Sequence, residues 1–295
     1  MSLRPDSLQY LSFNWFAVVM SVAGLSVAWL RAVPMLGEMA GAGAMVVAGI
    51  AAVLFLALLL LSWIRWKNYP AAVDGDLKHP VRHAFIGTIP VSMLLLAAAG
   101  VSVLGVNTAL SVLWWAGSLL QLVITVWVMG RWLSTDRERG LNWPVLTPVL
   151  FIPVVGNVIA PLAGVPLGAG NWAAAQFGMG VLLWPVVLTL MLVRIAQQGM
   201  WPERMLPTTF ISITPPALIG SGFLQLGAAP MLAWMCWGMA LFFLLWSAVV
   251  GKRMLAQPFS IGFWSLGFPL TAFAALTLRL SDQAPQAQSL AMVAL

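Results

Sequence analysis

Apolar and polar residues alternate along this chain on a long scale: apolar runs of twenty or so residues, each closed by a few polar ones. A helix crossing about 30 Å of hydrocarbon needs about 20 consecutive apolar residues. Nine runs reach that length within a few residues: 13–30, 39–64, 84–106, 108–130, 143–163, 171–193, 206–226, 230–250 and 259–278. A tenth apolar stretch opens near Ala287 and meets Leu295 before it is long enough to span. The pattern predicts an all-α integral membrane fold with nine complete spans and an incomplete tenth, forming a single domain over residues 1–295. The linkers alternate too. Those after spans three, five and seven are short (105–107, 164–170 and 227–229), and those after two, four and six are longer and charged. Consecutive spans therefore pair as hairpins. The odd spans recur at intervals of about sixty residues, the mark of five repeats of one helical hairpin.

Composition strengthens this picture. The chain is 61% apolar and 7% charged, against about 25% charged in a soluble domain. So few charges cannot cover a soluble surface, which leaves lipid to do so. The first apolar run is long and no short leader with a cleavage site precedes it, so no cleavable signal is expected. The net charge of +6 does not form a stripe suited to nucleic acid. Its sources sit in short linkers: Arg4; Arg65, Lys67, Lys78 and Arg82; Arg131, Arg137 and Arg139; Arg194 and Arg204; Lys252 and Arg253. Only Arg31 and Arg279 fall on the opposite side. The excess of basic residues on one face predicts a cytoplasmic N-terminus.

Proline placement singles out the odd spans. Pro90 lies in span three, Pro148 and Pro153 in five, Pro215 and Pro216 in seven, and Pro269 in nine; among the even spans only the sixth has one, Pro185. An interior proline removes a backbone donor and kinks the helix. In lipid the freed groups must be met by protein or by a water-filled cavity. Such kinks serve packing, or they mark helices standing around a shared central path; the alternation favours the path. Hydroxyl residues accompany them: Ser21, Ser26, Thr88, Ser92, Thr147, Ser212, Thr214, Ser265 and Thr271. They either line that path or bond their own helix backbone.

Several chemistries are disfavoured. No acidic or basic residue sits at mid-span, where proton relays and ion-coupled carriers keep them. His79 and His83 lie in and just after the second linker, and Cys236 is a lone cysteine. Neither haem nor metal ligation is expected from that set. No nucleophile–base pair, paired acids or phosphate loop is present in a plausible setting, so neither an enzyme nor a cofactor is expected. A neutral path with helix dipoles and hydroxyl donors suits anions, whereas a cation pore usually carries an acidic ring.

Four segments resemble a known family. Residues 79–90, His-Pro-Val-Arg-His-Ala-Phe-Ile-Gly-Thr-Ile-Pro, are similar to the loop and third-helix motif of the bacterial TehA tellurite-resistance and plant slow anion channel family. Residues 24–29, Gly-Leu-Ser-Val-Ala-Trp, resemble its first-helix pattern. Residues 153–157, Pro-Val-Val-Gly-Asn, and 264–271, Trp-Ser-Leu-Gly-Phe-Pro-Leu-Thr, resemble the plant branch. The resemblance implies ten helices in five hairpins, with the odd helices around a central pore in quasi-fivefold symmetry. It also implies a homotrimer with one pore per protomer and a Phe plug, here Phe268, aimed by the kink at Pro269. The other reading of Phe268 is a core aromatic between helices. Ser21 stands where the bacterial member has Gly. Candidate pore-lining residues are Ser21, Ser26, Thr88, Pro90, Ser92, Pro153, Thr214, Pro215, Ser265, Pro269 and Thr271. The expected partners are small inorganic anions such as chloride or nitrate and the lipid of a bacterial cytoplasmic membrane. The alternatives are a carrier for C4-dicarboxylates, an exporter of sulfite or tellurite-related anions, and a membrane sensor or scaffold that transports nothing.

Overall fold

A computed structural model describes residues 5–134 and 140–282. Arg4, Arg137, Arg139 and the apolar stretch from Ala287 lie outside the described residues. The α-helices are α1 (Phe16–Leu36), α2 (Glu38–Asn68), α3 (Pro70–Lys78), α4 (Thr88–Leu104), α5 (Thr108–Trp132) and α6 (Phe151–Val155). They continue with α7 (Pro161–Gly164), α8 (Gly170–Gln198), α9 (Thr214–Gln225), α10 (Pro230–Val249), α11 (Gly251–Leu255) and α12 (Gly267–Ser281). Among the described residues, seven helical stretches are long and apolar enough to cross a membrane.

All five odd spans share one local design. Each opens with a 3₁₀ segment, Phe13–Trp15, Arg82–Gly87, Pro148–Leu150, Glu203–Ile213 or Ile261–Ser265, and then turns α-helical. In four of them the third α-helical residue is proline: Pro90, Pro153, Pro216 and Pro269. The reason is steric. The proline ring clashes with the carbonyl four residues back and has no N–H to bond it. The backbone before it therefore stays in the tighter 3₁₀ form. In the first span Val18 holds the equivalent place, and its 3₁₀ lead-in is 3 residues long, as is that of the fifth span.

The fifth and seventh runs depart furthest from plain spanning helices. The fifth is a short apolar helical run, Pro148–Gly164. It is cut into α6, a 3₁₀ turn at Gly156–Ile159, and α7. Pro148, Pro153 and Pro161 each remove one i→i−4 bond from this short run. The seventh spends 11 residues in 3₁₀ form before the 12 residues of α9.

A buried carbonyl freed in this way needs a partner in lipid, and a polar chain between α5, the broken span and α8 supplies it. Gln121 Nε2 and Thr125 Oγ1 both donate to the Pro153 carbonyl, at 2.8 and 2.7 Å. Asn157 Nδ2 donates to Thr125 Oγ1 at 2.8 Å, and Gln176 Nε2 to Asn157 Oδ1 at 3.1 Å. Ser118 Oγ donates to Gln176 Oε1 at 2.6 Å.

The odd spans pack in a closed ring. α1 meets α4, α4 meets the broken span, the broken span meets α9, α9 meets α12, and α12 returns to α1. The even helices stand outside. Within the apolar stretch of the third span 67% of residues are buried, against 17% in the second. α2 presents Val46, Ile50, Val53, Leu56 and Leu60 outward, the apolar coat that a lipid-facing helix requires.

At the end of the bundle where the 3₁₀ segments lie, charge is organised rather than loose. Arg65, in the last turn of α2, is buried and pairs with Asp76 of α3 at 2.7 Å. Arg82 pairs with the other Asp76 oxygen at 2.8 Å. His79 Nδ1 accepts from the Val81 and Arg82 N–H groups, both at 3.1 Å. Burial lowers the His79 pKa below its ordinary value, the Arg82 charge adds to this, and Asp76 opposes it. His83 is no loop residue: it is buried, and its Nε2 accepts from Trp132 Nε1 at 3.1 Å.

Candidate functional site: two cavities on either side of Phe268

Because the odd spans share one register, the same turn of each repeat comes to the same level of the ring. The second α-helical residues are Ala17, Ile89, Ile152, Pro215 and Phe268. Ala17, Ile152, Pro215 and Phe268 line one cavity of about 50 Å³ inside the ring, with Met20, Val155 and Leu218. Its lining also takes in Phe85, Ile211, Trp264 and Ser265 from the 3₁₀ segments. A second cavity, of about 30 Å³, is lined by Gly24, Ser221, Thr271, Arg31 and Arg279. Phe268 and Leu218 line both. The Phe268 side chain therefore stands between the two spaces, and it is only 5% exposed.

The ring of Phe268 is held by a close approach from α1. A Cβ built on Gly24 falls 2.9 Å from Phe268 Cδ2 and 2.6 Å from Thr271 Oγ1. Only glycine fits there without displacing the aromatic ring. One turn earlier, the single Ser21 hydroxyl proton is shared between the Ala17 carbonyl at 2.8 Å and the Trp264 carbonyl at 3.1 Å. This ties α1 to the lead-in of α12, just before Phe268. Thr271 Oγ1 donates to the Phe268 carbonyl at 3.0 Å.

The candidate residues divide by position. Thr214, Pro215, Ser265, Phe268 and Pro269 line the first cavity, and Thr271 lines the second. Thr214 Oγ1 is buried and makes no hydrogen bond. The rest turn to neighbouring backbone. Ser26 Oγ donates to Ala44 O of α2 at 2.8 Å, and Thr88 Oγ1 to Phe13 O at 2.9 Å. Ser92 Oγ donates to Thr88 O at 2.7 Å. Pro90 is buried, and the carbonyl of Pro153 faces Gln121 and Thr125. Residues that the sequence did not single out as lining are mostly apolar, such as Met20, Ile152, Val155 and Leu218. Arg31 and Arg279 were visible only as the two basic residues on the opposite side; nothing in the sequence brings them to one cavity.

A ring of kinked inner helices coated by apolar outer helices, with two small cavities inside it, defines an all-α membrane protein. The chain belongs to the voltage-dependent anion channel family (SLAC1), whose model matches residues 10–295. It is 27% identical to a tellurite resistance protein TehA homolog of Haemophilus influenzae, over 89% of this chain and 81% of that protein. It is 24% identical to an S-type anion channel of Arabidopsis thaliana, over 79% of this chain and 45% of the longer plant protein. It is also 24% identical to a sulfite efflux pump of Arthroderma otae, over 95% of this chain and 84% of that protein.

Proposed function

We propose that this protein is an anion channel for small monovalent anions such as chloride or nitrate, with Phe268 as the plug of its central path. The observation that carries this reading is the position of the Phe268 ring between two cavities inside the closed ring of odd spans. A narrow apolar constriction blocks ions by excluding water, so it can be opened by removing one side chain. Ala17, Ile152 and Pro215 at the same level are apolar too. The unbonded Thr214 hydroxyl beside the first cavity and the backbone dipoles of the kinked helices would offer an anion weak ligands without fixed charge. Weak binding suits rapid passage. In this reading the protein is a transporter and not an enzyme. It assembles as a homotrimer in a bacterial cytoplasmic membrane, with its N-terminus and its 3₁₀ segments on the cytoplasmic side, where Arg65, Arg82 and Arg204 gather.

Chloride efflux from proteoliposomes tests the plug. Wild-type protein should leak slowly, and Phe268→Ala should raise the rate at least several-fold with assembly unchanged.

A second reading, a sulfite or C4-dicarboxylate exporter, draws on the likeness to a sulfite efflux pump along 95% of the chain. A carrier would show saturable exchange or dependence on a proton gradient, whereas a channel follows the electrochemical gradient of the anion alone. The small cavities, about 50 and 30 Å³, favour the small-anion channel over a dicarboxylate carrier.

A further inference from the structure

Beyond Phe268 the character of the path changes. The second cavity is lined by two guanidinium-bearing side chains, Arg31 near the end of α1 and Arg279 in the last turn of α12. They lie close enough for their like charges to oppose each other. Arg279 Nη1 donates to the Ser221 carbonyl at 3.2 Å, a neutral partner that leaves its charge uncompensated. Asp282 attracts Arg31, but among the described residues neither arginine forms an ion pair.

Two ordinary explanations are incomplete. A cation in the last turn of a helix complements the helix dipole, which accounts for Arg279 but not for Arg31 beside it. Arginines at span ends also extend to the membrane surface to keep their charge in water. These two share the lining of an inner cavity with Gly24, Thr271 and the plug itself. Two like charges brought together in one partly dry space are unfavourable unless an anion joins them.

We propose that Arg31 and Arg279 form a binding site for one small inorganic anion on the side of Phe268 away from the 3₁₀ segments, and that this site concentrates the conducted anion at that mouth. The inference rests on the anion-path reading and adds to it a ligand class and a side. The space is about 30 Å³, room for roughly two water-sized particles. A small inorganic anion is of the size such a space admits. Guanidinium groups suit the task because they stay charged and present several donors in a fixed plane.

The test uses full-length protein in planar bilayers in the Phe268→Ala background, with chloride varied on one side at a time against gluconate. Arg31→Gln and Arg279→Gln should each raise the half-saturating chloride several-fold on one side only. Arg279→Lys, which keeps the charge, should lie near the parent value. A second readout does not require conduction: chloride in place of gluconate should raise the thermal unfolding midpoint of the otherwise wild-type protein, and the double Gln variant should lose that rise. If Phe268→Ala passes no anion while the chloride-dependent rise persists and needs both arginines, the channel reading fails and the site stands. If Phe268→Ala conducts, yet the double Gln variant changes neither the half-saturating chloride nor the thermal rise, the site is overturned and the channel stands.

Discussion

The contact between Gly24 and Phe268 spans α1 and α12, and it decides where the Phe268 ring can sit. A methyl group at position 24 meets the aromatic ring at 2.9 Å and the Thr271 hydroxyl at 2.6 Å, so the ring must give way. Gly24→Val should therefore lower the unfolding midpoint in detergent by several degrees. Combined with Phe268→Ala, which removes the ring, the part of the cost that comes from the ring should vanish and the part that comes from the Thr271 hydroxyl should remain. The coupling between the two changes should fall in the range of about 0.5–3 kcal/mol seen for residues in contact. Simple additivity would mean that the two side chains do not compete for this space. From sequence alone Gly24 was one of several small residues in a first-helix motif, and Phe268 came to notice through the family resemblance. Residue chemistry by itself left it either a plug or a core aromatic.

Among the elements, the broken fifth span depends most on its neighbours. Its prolines were legible as kinks, but hydropathy measures apolar length and does not register whether backbone bonding is continuous. The run 143–163 thus read as one span. The partners that make the break tolerable, Gln121, Thr125 and Gln176, sit on the outer helices α5 and α8 and carried no signal of their own. Gln121→Leu alone leaves the Pro153 carbonyl one side-chain donor, Thr125. The pair Gln121→Leu with Thr125→Val leaves it no side-chain donor. The pair should cost more than the sum of the singles, by about 1–3 kcal/mol for an orphaned buried carbonyl, in reversible denaturant unfolding. A pair no worse than the singles would mean that water or another group reaches that carbonyl. The short helix α3 makes a similar point. Asp76 bridges the buried Arg65 of α2 and Arg82 at the start of the third span, where the sequence showed only linker charges. Asp76→Asn leaves Arg65 buried without its anion, a loss of about 3–5 kcal/mol for a broken buried pair. It should sharply reduce the yield of folded protein on size-exclusion chromatography, and a normal yield would show that Arg65 finds water instead.

At the scale of the whole molecule, periodicity and linker length conveyed the architecture well: inner odd helices, outer even ones, hairpin after hairpin. That information is local, because each repeat must bury one helix and show another to lipid. The closed ring, the common level of Ala17, Ile152, Pro215 and Phe268, and the meeting of Arg31 with Arg279 are products of tertiary packing between residues far apart in the chain. No local pattern encodes them. The regularity of the 3₁₀ lead-ins links the two scales, since a proline at the same position in four repeats sets both the break and the register of the constriction.

The central claim is that one apolar side chain closes an otherwise complete anion path. Current through planar bilayers under a chloride gradient tests it most directly. Wild-type protein should be almost silent, and Phe268→Ala should carry a current that reverses close to the chloride equilibrium potential. A correctly assembled Phe268→Ala protein that passes no current, or one whose current reverses at the cation potential, would contradict it.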